Sequence, residues 1–173
     1  MRFLLELGAY APLLLILLSW FLLWGHPVLS FYYSVGLFAN AVLNLVFKGI
    51  VQEPRPMFDP AKVKLLKTHG KHFFYQNGIP FDVFGMPSGH AQASLFSAVF
   101  VFLALRQTNV LFYLYAPLSL LTCFQRVHDH YHSPMQVLVG AVAGSAFAYL
   151  VYQLAREKMK NKVREKPDDG APP

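Results

Sequence analysis

Charge is what this chain has least of. Only 14% of its residues are Asp, Glu, Lys or Arg, against about 25% in ordinary soluble domains. A surface so poor in charge does not suit a freely solvated globule. With 55% hydrophobic residues and a mean hydropathy of +0.37, it suits a bilayer. Cysteine is nearly absent too. Cys123 stands alone inside an apolar run, which excludes an internal disulfide and says little about the redox compartment. Acidic residues number nine against fifteen basic ones, a formal charge of +6. The excess sits in a loop and a tail, and no nucleic-acid partner is expected. No internal repeat is evident.

What is present is a series of long apolar runs. Leu7 to Trp24 is the first, eighteen residues without a charge and the length of a membrane span. Glu6 near its start, Pro12 inside it and the lack of a small-residue cleavage site after Trp24 argue against a cleavable leader. Gly25-His26-Pro27 is a turn. The second run, Val28 to Phe47, carries Asn40 and Asn44 four apart on one face, expected to face the bundle. The third run, Ala91 to Leu105, extends to Phe84–Arg106 if its first turns sit in a polar pocket. The fourth is Val110 to Phe124, with a kink expected at Pro117. The fifth is Val137 to Leu154, where Gly140, Gly144 and several alanines permit close helix packing. The expectation is an all-α polytopic membrane bundle of about five transmembrane helices. Residues 1–154 form its single domain, and 155–173 a polar, disordered tail.

Polar chemistry collects where the runs end. Met86-Pro87-Ser88-Gly89-His90 opens the third run. Proline suits a helix start, and the helix N-terminus with its free N–H groups suits a phosphate. His90 adds a group that titrates near neutrality. An ordinary helix cap explains the same five residues equally well. Lys48 and Arg55, seven apart, are expected on one side of a helix that continues two turns past Phe47 until Pro54 and Pro56 stop it. A point charge and a planar fork make a sensible phosphate pair, although snorkelling at a membrane edge is the plain alternative. Arg126 and His132 follow the fourth run. Counting crossings brings Lys48, Arg55, Ser88, His90, Arg126 and His132 to one membrane face, where two histidines and three cations point to a phosphate site.

Between Met57 and Phe84 lies a long loop with Lys62, Lys64, Lys67 and Lys71 interleaved with aromatic and aliphatic residues. Ala61 to Thr68 is a candidate short helix and Gln76-Asn77-Gly78 a turn. The loop reads as an interfacial lid on anionic headgroups or, equally, as a solvated loop.

Lys48 with six residues before Arg55-Pro56, then Pro87-Ser88-Gly89-His90, then Arg126 with five residues before His132, together resemble the three-part signature of the type 2 phosphatidic acid phosphatase superfamily. The resemblance covers Lys48 to Gly140. It implies a helical membrane bundle and metal-independent hydrolysis of phosphate esters or anhydrides, with no cofactor. It also implies His132 as the nucleophile, through a phosphohistidine, and His90 as general acid. Lys48, Arg55, Ser88, the Gly89 N–H and Arg126 would hold the phosphoryl oxygens.

Two positions depart from the family pattern. Gln125 stands where Ser usually precedes the arginine, and Gln136 where an Asp usually orients the nucleophile. A Gln carbonyl can accept the imidazole N–H and fix its tautomer, but cannot stabilise an imidazolium by charge. Tyr131-His132 followed by Gln136-Val137 is similar to the dolichyl diphosphatase branch. That shifts the expected substrate to a polyprenyl diphosphate, whose leaving group needs less push. Asp129 is the alternative orienting carboxylate. His128, Asp129, His130 and His132 also raise a metal site, the less favoured reading; His26, His69 and His72 read as turn and loop residues.

A phosphomonoesterase, a lipid-phosphate transferase and a non-catalytic lipid-phosphate binder remain as other function classes. Leaving aside Lys48, Arg55 and Arg126, seven Lys/Arg fall on the tail side against five on the site side. This favours a cytoplasmic tail and a lumenal or exoplasmic site; the dolichyl resemblance implies the endoplasmic reticulum. The bilayer and a lipid phosphate are the expected partners, and the oligomeric state is left open.

Overall fold

The computed structural model describes residues 2–70, 73–76, 79–106 and 108–164. Helix α1 spans Arg2–Leu23 and α2 spans Pro27–Val51. Between them the chain turns at Trp24 and Gly25, and Pro27 takes the first position of α2, where its missing N–H costs nothing. Then come α3 (Pro60–Thr68), a hairpin of β1 (Phe73–Gln76) and β2 (Ile79–Asp82), and α4 (Gly89–Leu105). A short α5 (Thr108–Val110) leads through a π-helical turn, Leu111–Tyr115, into α6 (Ala116–His128). Helix α7 (Pro134–Arg164) closes the bundle.

Helix α4 is the axis. It packs against α7, α1, α2 and α6, and Phe96, Phe100 and Val101 are buried within one core that also holds Tyr33, Tyr115 and Val151. A helix that is apolar all round belongs in the middle of a bundle. Side chains on Gly140 and Gly144 of α7 would collide with the backbone of Ser88 and Gln92. Their absence lets α7 lie directly on the start of α4. The outer faces are the reverse of a soluble protein's. Phe21, Trp24 and Phe38 are each more than 70% exposed, in an apolar belt that suits lipid contact. Helices α1, α2 and α7 are long and apolar enough to cross a bilayer, and α4 is a shorter apolar helix.

Several expectations need correction. Helix α2 does not continue to Arg55. It ends at Val51, where Gln52 adopts a left-handed conformation (φ 50°) and its N–H bonds the Lys48 carbonyl. The residue before a proline disfavours α geometry, and with Pro54 and Pro56 in sequence the helix stops early. The segment around Pro54 instead pairs antiparallel with Phe84. Just before Pro117, where a kink is expected, the chain forms the π-helical turn. The tail expected from Ala155 is helical through Arg164, because Ala155 itself is fully buried in the core; residues 165–173 lie outside the described residues.

The loop after α2 holds α3, as expected, and a hairpin, which was not expected in an all-α chain. Phe73 pairs with Asp82 and Gln76 with Ile79. Aromatic residues flanking Asn-Gly favour such pairing; Asn77 and Gly78 themselves lie outside the described residues, as do Lys71, His72 and the side chains of Lys67 and Gln76. Val63, Val83 and Phe84 form a small second core that ties α3 to the chain leaving the hairpin.

Candidate active site

Three breaks between helices meet at one end of the bundle. The first is the extended stretch after α2. Gly85 N–H donates to the Glu53 carbonyl (2.7 Å) and Arg55 N–H to Val83 O (3.2 Å), so the residues before α4 are stitched to those after α2. The second break is the start of α4. Ser88 is the N-cap, its hydroxyl accepting the Ala91 N–H, and its own N–H donates to the Gln136 carbonyl at 2.9 Å. The third is the α6–α7 turn, where His132 N–H donates to the Arg126 carbonyl at 3.0 Å. Backbone bonds thus join all three polar segments before any side chain is considered.

The side chains converge on His132, which is 2% exposed. Arg55 Nη1 donates to its Nε2 at 3.1 Å. A guanidinium has no acceptor to offer, so Nε2 carries the lone pair and Nδ1 the proton. That proton faces two acceptors, the Gly85 carbonyl at 2.9 Å and Gln136 Oε1 at 3.2 Å. The Gln136 amide is oriented by its other end, where Nε2 donates to Glu53 Oε1 (2.8 Å) and to the Pro54 carbonyl (2.9 Å). Burial, then the charges of Arg55, Arg126 and Lys48, hold the His132 imidazole far below the ordinary histidine range. Desolvation and nearby cations both disfavour a further positive charge. The ring is neutral, with a lone pair on Nε2.

Cations surround that lone pair. Lys48, Arg55 and Arg126 are each under 10% exposed. Lys48 Nζ is paired with Asp82 Oδ2 at 2.6 Å, and Arg55 Nε donates to the Asp82 carbonyl at 2.7 Å. The Arg126 guanidinium lies 4.3 Å from the centre of the Tyr131 ring. Its Nε is buried and donates to no acceptor among the described residues. With Asp82 set against Lys48 and Arg55, the three buried cations leave an excess of positive charge, which an anion satisfies. His90, in the first turn of α4, is half-buried and within electrostatic reach of the same three cations. Gly89 packs beside the Asn44 amide.

All eight residues expected from the sequence therefore lie at this end, although the helix expected to present Arg55 is replaced by a non-helical segment held by a single β-bridge at Pro54. Asp129 does not turn to His132. It accepts from Gln125 Nε2 (2.6 Å) and pairs with His128 Nδ1 (2.8 Å). Among the described residues no three His, Cys, Asp or Glu side chains converge in a metal-holding group. His26 stands at the N-cap position of α2 without a side-chain capping bond, and His69 bonds the Leu65 carbonyl on an exposed surface. Sequence reasoning missed Glu53 and Asp82. The signal was there: both are acids in a basic stretch, and one stands directly before Pro54-Arg55.

The chain is similar to several known proteins. The chain is 30% identical over 167 residues to a dolichyldiphosphatase of Saccharomyces cerevisiae, covering 86% of this chain and 64% of that protein. It is 31% identical over 137 residues to dolichyldiphosphatase 1 of Mus musculus, covering 70% and 51%. It is 30% identical over 138 residues to a chloroplastic lipid phosphate phosphatase epsilon 2 of Arabidopsis thaliana, covering 76% and 41%. The chain thus spans about two-fifths to two-thirds of the length of these curated relatives. No solved structure matches it. The PAP2 superfamily model matches residues 29–160, a stretch that contains every residue of the site, and the chain belongs to the PAP2 superfamily.

Proposed function

We propose that this protein is an integral-membrane lipid phosphatase that hydrolyses a polyprenyl diphosphate of the dolichyl type through a phosphohistidine at His132. The observation that carries the reading is the tautomer: a neutral imidazole with its lone pair on Nε2, facing three cations. Such a ring is a nucleophile placed where a phosphoryl group would be held.

Two steps balance the reaction. His132 Nε2 attacks the terminal phosphorus, the bridging P–O bond breaks, and the departing prenyl phosphate oxygen takes a proton from His90, which the negative charge of the bound diphosphate would hold protonated against the three cations. Water then attacks the N–P bond's phosphorus and gives up a proton to the now neutral His90. The P–N electrons return to Nε2 and inorganic phosphate leaves. Lys48, Arg55, Arg126, the Ser88 hydroxyl and the Gly89 N–H would bear the charge on the phosphoryl oxygens. Phosphoryl transfer depends chiefly on such positioning and charge stabilisation. On binding, Arg55 Nη1 would pass from Nε2 to a phosphoryl oxygen, which frees the lone pair for attack.

An apolar recess of about 380 Å³ between α2 and α7 supports a lipid substrate. Phe47, Val51, Leu138 and Val142 line it, and Met86 and Pro87, which lead into Ser88, form part of its wall. The names of the yeast and mouse relatives favour a dolichyl-type diphosphate, and that of the plant relative favours a lipid phosphate. Gln136, neutral where the family's Asp would be charged, favours the better leaving group. The Lys/Arg distribution supports a lumenal site, and the dolichyl likeness the endoplasmic reticulum.

The test is phosphate release by purified protein, in chelator, from one polyprenyl diphosphate and its monophosphate, with acid-quench trapping of a phosphoenzyme. Release from the diphosphate in preference to the monophosphate, with a label on His132, is expected. Full activity of His132→Ala overturns the mechanism. Preference for the monophosphate overturns the substrate.

A further inference from the structure

Glu53 belongs to none of the motifs that point to phosphate, yet it grips both acceptors of the His132 proton. Its side chain holds one: Glu53 Oε1 accepts from Gln136 Nε2 at 2.8 Å. Its main chain holds the other: the Glu53 carbonyl accepts the Gly85 N–H at 2.7 Å, and Gly85 in turn presents its carbonyl to His132 Nδ1 at 2.9 Å. A side chain on Gly85 would strike the Gln136 amide, so these groups are packed as closely as a backbone allows. Gln136 is 1% exposed.

The Gln136 amide has only one workable orientation here. With Nε2 toward Glu53 and the Pro54 carbonyl, and Oε1 toward His132 Nδ1–H and the Ser133 N–H, every donor meets an acceptor. Turned over, Oε1 would face two acceptors and Nε2 two donors, each buried and unpaired. A carboxylate behind the amide also polarises it. A chain of hydrogen bonds ending on an anion strengthens each link, and Oε1 becomes a better acceptor for a ring that turns cationic as Nε2 bonds to phosphorus.

We propose that Glu53 is a positioning residue for His132, acting through the Gln136 amide and supplying, one side chain further back, the negative charge that position 136 does not itself carry. This inference rests on the phosphohistidine reading above. It assigns the charge to a Glu–Gln pair, so that the two side chains are interdependent.

That interdependence gives the experiment. Four proteins are compared on one polyprenyl diphosphate: wild type, Glu53→Gln, Gln136→Glu and the exchange Glu53→Gln/Gln136→Glu. Thermal melts in detergent check that each is folded. Glu53→Gln keeps an acceptor and the volume but removes the charge. It is expected to lower kcat about tenfold with KM unchanged, in line with carboxylates that stand behind other functional histidines. Gln136→Glu sets two carboxylates face to face and is expected to lose more. The exchange restores one charge and one amide, now in the opposite order, and is expected to recover at least tenfold over Gln136→Glu. A folded Glu53→Gln protein with wild-type kcat, a loss confined to KM, or an exchange no better than Gln136→Glu overturns the proposal. His132→Ala separates this from the reading beneath it: if that variant keeps full activity, the phosphohistidine itself fails. If His132→Ala is inactive and Glu53→Gln is normal, only the role of Glu53 fails.

Discussion

Two buried polar clusters stand one helical turn apart on α2, and they do opposite things. The inner one is built from Asn40 and Asn44 of α2 and Gln92 of α4. Asn44 Nδ2 donates to Gln92 Oε1 (2.8 Å) and to the Pro87 carbonyl (3.2 Å), while Gln92 Nε2 donates to Asn40 Oδ1 (2.9 Å) and its carbonyl. It is neutral, and its amides satisfy one another. The outer cluster begins at Lys48 and gathers three buried cations, Lys48 and Arg55 on Asp82 and Arg126 over the Tyr131 ring. Both are buried, and both are polar. Burial therefore does not separate a site from a packing device in a membrane bundle; net charge does. A self-satisfied amide cluster fixes which helices meet, whereas an unbalanced cationic cluster selects an anion.

Five variants sharpen that contrast. His132→Ala is expected to cut phosphate release on the order of 10⁴-fold or more, as removal of a nucleophile does, with thermal stability near wild type in the same preparation. His90→Ala follows, with a loss of about 10²–10⁴-fold, the usual worth of a placed proton donor. It is expected to slow the two steps unequally, so that acid quench in the presence of the diphosphate reads the phosphoenzyme level directly. Little residual catalysis by His132→Ala and near-normal turnover by His90→Ala would together leave His90 without a role.

Arg55→Gln carries a pH signature as well as a loss of about 10²-fold, the scale of one charge-stabilising donor. In the native protein, burial and the cations hold His132 below the ordinary range. Its lone pair thus stays available as pH falls through about 6.5, the free imidazole value. Removing Arg55, the first-ranking of those charges, raises the His132 pKa toward that value. The acid limb of the kcat/KM profile is then expected to move upward in pH. An unmoved or lowered limb contradicts the electrostatic account.

Gln136→Leu is expected to cost only about tenfold, because the Gly85 carbonyl still accepts the Nδ1 proton. A loss as deep as that of His132→Ala would make Gln136 the sole determinant of the tautomer. Gln92→Leu has the smallest expected effect on chemistry. It strips partners from Asn40 and Asn44, at about 1–3 kcal/mol for each buried group left unpaired. A lower melting temperature in detergent with kcat/KM within about threefold is the outcome that keeps the two clusters distinct.

Much of the bundle was legible in the sequence because apolar length and polar breaks are local properties. The runs around Leu7–Trp24, Val28–Phe47 and Val137–Leu154 correspond to α1, α2 and α7, since a bilayer demands that length wherever the chain goes. Gly140 and Gly144 announced close packing, and only a contact as tight as that with Ser88 and Gln92 requires them. Arg55 was read on the right face for the wrong reason. Pro54 and Pro56 stop α2 sooner than a simple continuation allows, and a β-bridge to Phe84 carries the arginine instead.

The sequence by itself determined that this chain lives in a membrane and gathers cations and histidines at one end, because crossings can be counted without coordinates. It also picked out residues that meet at that end, because their spacing is written along the chain. Only the tertiary structure decided what stands behind them. Glu53 and Gln136 are 83 residues apart, Lys48 and Asp82 are 34 apart, and His132 and Gly85 are 47 apart. Hydrogen bonds across such separations depend on helix register, on where α2 ends and on a hairpin that returns Asp82 to the site. No local pattern encodes these, and they set the tautomer and charge of His132.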